Sequence, residues 1–131
     1  MPQRLNLTAL LGDEYDAALA FVGVLGFEMR EDTQLENGKR WVVVAPQGAP
    51  NGLLLARAVG KRQRNALGDQ SSGRVFLFLE TDNFARDDLA YTQRVARFVE
   101  DPRHEQYGIV AVFENLYGNR WDLIEPITAE R

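Results

Sequence analysis

The chain has 131 residues, 45% hydrophobic and 26% charged, with no cysteine and a single histidine, His104. A domain of this size buries a core without staples, and the missing thiols exclude disulfides, thiolate metal sites and cysteine nucleophiles. With 15 basic residues against 19 acidic ones the net charge is −4, which lacks the basic excess of a nucleic-acid binder, and no run approaches the ~18 apolar residues of a membrane span.

In chain order, Leu5–Leu11 reads as a short apolar strand interrupted by Asn6 and Thr8. Tyr15, Ala18, Leu19, Val22 and Leu25 then recur at helical spacing, so Asp13–Leu25 is predicted as an amphipathic helix with Asp13 as N-cap and Gly26 at its C-terminal end. Phe27–Leu35 and Trp41–Val44 are strand-like, and the Asn37-Gly38 pair between them is a strong hairpin signal. A turn region, Pro46–Gly52, leads to a third strand, Leu53–Ala56. Residues 58–73 are mostly polar and carry three glycines; they read as a linker, with Lys61, Arg62 and Arg64 on a solvated loop.

The second half follows the same order. Val75–Leu79 is an apolar strand, Asp82 a second N-cap candidate, and Phe84, Leu89, Thr92 and Val95 have helical spacing. Phe98–Glu100 resumes an extended run, His104 falls between elements, and Ile109–Phe113 and Trp121–Ile124 flank a turn at Tyr117-Gly118-Asn119. Thr128–Arg131 is expected to be a loose tail.

The halves superimpose. Asp13 matches Asp82, Tyr15 matches Phe84, Phe27 matches Phe98, Gly38 matches Gly108 and Asn51 matches Asn119, every pair about seventy positions apart. Each half reads β-α-β-β-β, so the expectation is one α+β domain of two modules, about 1–57 and 74–126, joined by loop 58–73. The strand runs are apolar on both faces and need cover on both sides. One face is expected to pack on the module's helix. The other is expected to contribute to a concave, mostly apolar site for a small molecule, on a cupped mixed sheet.

Tyr15–Phe21 followed by Val24-Leu25-Gly26-Phe27 resembles the opening helix of the vicinal oxygen chelate superfamily, which includes glyoxalase I, bleomycin-resistance proteins, fosfomycin-resistance enzymes and extradiol dioxygenases. The run Asn115–Ile124 resembles its closing hairpin, where Gly-Asn and two variable residues precede an acidic metal ligand; here that place is held by Asp122. The resemblance covers almost the whole chain. It implies the duplicated fold, a homodimer, and a metal held by His, Gln or Glu on inward strand positions. In this chain those positions fall on Asn6 or Leu7, Val75 or Phe76, about Leu54, and Asp122, so at least two of four are apolar. Asp122 is the one weak metal candidate, and no metal or other cofactor is the expectation.

Other candidate ligand-binding residues are Asn6 and Thr8 on the first strand, Trp41 as a stacking surface, Arg57 toward an anion or Asp122, Glu80 at a strand end, and His104 near Tyr107 as a general base. Strand alternation sends Trp121 and Asp122 to opposite faces. A single histidine excludes a separate Ser-His-Asp machine, and neither phosphate-binding glycine motif is present. Residues 1–12 lack a signal-peptide pattern, so a cytoplasmic protein is expected. The leading functional expectation is metal-independent binding of a small, partly apolar molecule. The alternatives are a metal-dependent lyase, isomerase or dioxygenase-like enzyme using Asp122, and an interaction protein without a ligand.

Overall fold

The computed structural model describes residues 2–93 and 97–127. The architecture is α+β, and the chain divides into two compact units, Met1–Leu67 and Gly68–Arg131. The boundary thus falls inside the segment expected as a linker.

The first unit contains β1 (Leu7–Gly12), α1 (Tyr15–Val24), β2 (Phe27–Gln34), β3 (Arg40–Pro46), β4 (Gly52–Arg57) and α2 (Gly60–Asn65). Its sheet runs β1-β4-β3-β2, with β1 parallel to β4 and the other pairs antiparallel. Asn37 and Gly38 both have positive φ, 61° and 77°, as a tight hairpin connection with the strands' own twist requires. Tyr15, Ala18, Phe21 and Val22 of α1 are buried, as are Val42, Val44, Leu53 and Leu55 of the sheet. The helix-facing parity of this sheet is therefore Leu10, Leu55 and Val42, which lie side by side in the register.

Two expectations need correction in this unit. Asp13 does not cap α1. The N-cap is Glu14, with no side-chain capping bond, because the Asp13 carboxylate accepts instead from Arg64 Nη1 at 2.9 Å. Nor is 58–73 wholly a loop. Lys61, Arg62, Gln63 and Arg64 are good helix formers, and Gln63 Oε1 reaches back to the Val59 amide at 2.8 Å, so a short helix forms.

The second unit contains β5 (Val75–Glu80), α3 (Phe84–Thr92), β6 (Arg97–Phe98), β7 (Arg103–Glu105), β8 (Gly108–Glu114) and β9 (Arg120–Pro126). The sheet runs β5-β9-β8-β6, with β7 also on β8; β5 is parallel to β9 and the remaining pairs are antiparallel. This repeats the first unit's order, with β6 and β7 together in the place of β2. The core here is aromatic. Trp121 lies stacked on Phe113, ring centroids 5.6 Å apart, and Phe113 meets Tyr91 of α3 edge-on at 5.7 Å.

Asp82 is not the cap of α3. Asn83 is, its side chain accepting from Arg86 N at 3.0 Å, while Asp82 is drawn into an ion pair with the Arg86 guanidinium. His104 is not between elements but on β7 opposite Ile109, because the turn before Gly108 folds residues 103–105 back onto β8. Val95 and Thr128–Arg131 lie outside the described residues. Among the described residues no helix is long and apolar enough to cross a membrane.

Candidate functional site

The face of the second sheet away from α3 is fixed by alternation. Trp121 and Leu123, both fully buried, face the helix side, so Asp122 between them points the other way. Its neighbours in the register are Phe78 on β5 and Val112 on β8. Val99 extends the row, its amide donating to the Val112 carbonyl at 2.9 Å. Phe78 is 71% exposed, unusual for a phenylalanine on a sheet, and Val99 is 37% exposed. One carboxylate thus sits in a row of apolar side chains.

That carboxylate is incompletely satisfied. Asp122 Oδ1 is buried and finds no hydrogen-bond donor among the described residues. Burial raises the Asp122 pKa above 3.8; Arg103 opposes the shift and Glu100 adds to it.

Arg103 and Glu100 are brought there by the break between β6 and β7. Pro102, which has no amide to give a ladder, interrupts the strand. Glu100 fills the gap with its side chain, Oε2 accepting from Val112 N at 3.0 Å where a backbone carbonyl would ordinarily serve. The same oxygen accepts from Arg103 Nε at 3.1 Å, and Arg103 Nη1 donates to Glu105 Oε2 at 2.6 Å. Tyr107 is a further hydrogen-bonding partner of Arg103, and these contacts, Glu100 first, hold its guanidinium firmly protonated.

The remaining sequence candidates scatter. Asn6 precedes β1, exposed, with its carbonyl accepting from Gly52 N at 3.1 Å. Thr8 is exposed on β1, opposite Leu53 and so on the helix-facing parity. Trp41, 37% exposed, lies on the other face of the first sheet, opposite Thr33. Arg57 sits over the Tyr15 ring, 5.5 Å from its centroid, on the helix side. Glu80 ends β5 opposite Ile124, exposed and on the same face as Asp122. His104 is exposed and of opposite parity to Arg103, while Tyr107, 54% exposed, reaches the cluster through Arg103. The second unit therefore gathers Asp122 and Tyr107, together with Phe78, Glu100 and Arg103, which the sequence reading passed over. Pro102 within an extended run was the available signal for the last two.

The resemblance calls for a test of metal fit. The place of Asp122 in the first unit is held by Leu54, flanked by Ala9 and Val43 where the second unit has Phe78 and Val112. None of these five side chains is a donor. Among the described residues no group of three or more His, Asp or Glu side chains is placed to hold an ion, and Arg103 already engages the Glu100 and Glu105 carboxylates. The side chains at these positions do not fit a resident divalent metal, whose sites need three or more protein ligands for zinc or several oxygens for calcium.

Known proteins share the frame. A protein of Shewanella frigidimarina (strain NCIMB 400), described only as an uncharacterized protein, is 50% identical over 129 residues, covering 95% of each chain. The crystal structure of UcmS2 superimposes with a TM-score of 0.80 at 26% identity, covering 95% of this chain and 99% of that one. TnmS3, an antibiotic binding protein from Streptomyces sp. CB03234, shares the fold with a TM-score of 0.75 at 24% identity, over 96% of this chain and 98% of its own. The family model for the Glyoxalase/Bleomycin resistance protein/Dioxygenase superfamily matches residues 4–123. With nearly the whole chain matched and the β-α-β-β-β unit present twice, this protein belongs to that superfamily.

Proposed function

We propose that this chain binds a small, partly apolar molecule on the sheet face that carries Asp122, without a resident metal. The observation that carries the reading is the row Phe78–Asp122–Val112: one under-satisfied carboxylate between an exposed phenylalanine and a half-buried valine, at the strand position where the superfamily's enzymes place a metal ligand. A surface of this composition, mostly apolar with a few polar groups that orient the occupant, has the chemical make-up that small-molecule sites generally offer. The antibiotic binding protein TnmS3, built on the same fold, supports binding as an occupation for this frame. The non-donor side chains around Asp122 and at its counterpart argue against isomerase or ring-cleavage chemistry through a metal. In keeping with the superfamily resemblance, the working unit is proposed as a homodimer, which sedimentation equilibrium checks.

The test is binding in the presence of EDTA. Bleomycin and a set of naphthalene derivatives are screened by thermal shift, and hits are titrated by calorimetry. A saturable shift that survives EDTA supports the reading; ligand at one hundred times Kd stabilises by about 2.7 kcal/mol. Stoichiometric Mn, Fe, Ni or Zn retained through purification, or binding that appears only when such an ion is added, refutes it.

A further inference from the structure

We infer that the ligand is an apolar, aromatic molecule that presents an N–H or O–H donor to the Asp122 carboxylate, and that the site disfavours anions. This rests on the binding reading above and names the chemistry of the occupant.

Three observations meet at one place. Asp122 Oδ1 is buried without a donor among the described residues. A carboxylate left short of donors costs free energy, and Asp122 as a whole is only half-buried, so a donor on the occupant is favoured at its accessible side. The exposed Phe78 ring is the cross-strand neighbour of Asp122 on one side, and Val112 with Val99 lies on the other, which suits a flat apolar body lying over the row. The third observation is charge. Arg103, the cation whose field reaches Asp122, is engaged by Glu100 at 3.1 Å and Glu105 at 2.6 Å. Arg97 and Arg120 share Glu114 on the same face, at 3.3 and 3.9 Å, so the carboxylates Asp122, Glu100, Glu105, Glu80 and Glu114 outnumber Arg103, Arg97 and Arg120 there. A carboxylate, phosphate or sulfonate on the ligand would meet this excess of negative charge, whereas an ammonium or a hydroxyl complements it. Arg103 acts as a positioning residue: it holds Glu100 in place and favours the ionised form of Asp122.

The experiment uses four probes of one shape: 2-naphthylmethylamine, 2-naphthylmethanol, 2-ethylnaphthalene and 2-naphthoate. Binding is measured by titration calorimetry at pH 7 in EDTA for the wild type, Asp122→Leu and Asp122→Asn, with circular dichroism to confirm folding. The amine and the alcohol are expected to bind the wild type about tenfold or more tighter than 2-ethylnaphthalene, and 2-naphthoate weakest of all. Asp122→Leu should erase the preference while keeping 2-ethylnaphthalene. Asp122→Asn, nearly the same shape, should keep the alcohol and lose the advantage of the amine. If the donor-bearing probes bind no better than 2-ethylnaphthalene, or the preference survives in Asp122→Leu, the inference is overturned and binding itself stands. If none of the four binds, the inference and the reading beneath it fall together.

Discussion

Replacing Asp122 by leucine should make the protein more stable. The first unit already carries leucine, Leu54, at the matching place between Ala9 and Val43, so the frame holds that side chain on the same strand. In the wild type the second unit keeps a carboxylate oxygen buried without a partner among the described residues. Leaving such an acceptor unmade costs about 1–3 kcal/mol, and the partial exposure of the side chain puts this case toward the lower end. Leucine removes that cost and adds contact with Phe78 and Val112. A gain of about 1–2 kcal/mol at pH 7 follows, or roughly 3–8 °C in Tm for a chain of this size. The gain depends on pH with a definite sign. Burial holds the folded-state pKa of Asp122 above 3.8. Between the unfolded and folded values the native protein keeps a proton the unfolded chain has lost, so wild-type stability falls as pH rises through that window. The advantage of Asp122→Leu is therefore smallest below 3.8 and reaches its plateau above the folded pKa. Urea unfolding of both proteins at several pH values between 3 and 8 measures it. A leucine variant less stable than wild type at pH 7, or a difference that does not change with pH, refutes the argument.

Arg103→Met should raise the Asp122 pKa further, because the one opposing charge is removed while Glu100 remains; carboxyl carbon shifts in an NMR titration report the direction. Asn83→Ala should cost about 0.5–2 kcal/mol by removing the cap of α3, whereas Asp13→Ala, which caps nothing, should leave α1 nearly unchanged; denaturant melts of the two separate the roles. Gly68→Ala should cost about 2 kcal/mol or more, since Gly68 has φ +74° and a methyl there would lie 1.9 Å from the Tyr117 carbonyl oxygen. Gly23→Ala is the control, a helical glycine with open space around it, expected to gain about 0.5–1 kcal/mol.

The duplicated β-α-β-β-β order was legible because it rests on features a sequence displays: apolar runs such as Val75–Leu79, the Asn37-Gly38 turn and helical spacing from Tyr15 to Leu25. The opposite facing of Trp121 and Asp122 was legible for the same reason, since alternation along a strand is strict. The caps were misplaced by one residue at both helices because Asp13 and Asp82 have arginine partners, and an ion pair with Arg64, fifty-one positions away, leaves no local trace. The surroundings of Asp122 were illegible for a related reason. Phe78 and Val112 become its neighbours only through strand register. Glu100 and Arg103 arrive only because the chain breaks near Pro102 and a side chain completes the ladder.

That break also bears on solubility. A long, even strand at the rim of a sheet offers a row of free amides and carbonyls onto which another chain can zip, and such rims seed fibrous aggregates. Here one of the two outer strands of the second sheet is two short pieces separated by a proline and bearing Arg97, Arg103 and His104, while one of the two outer strands of the first sheet, β2, is lined with Glu28, Arg30, Glu31 and Asp32. The interruption that sets Glu100 beside Val112 thus also denies a stray β-strand an uninterrupted template along that rim.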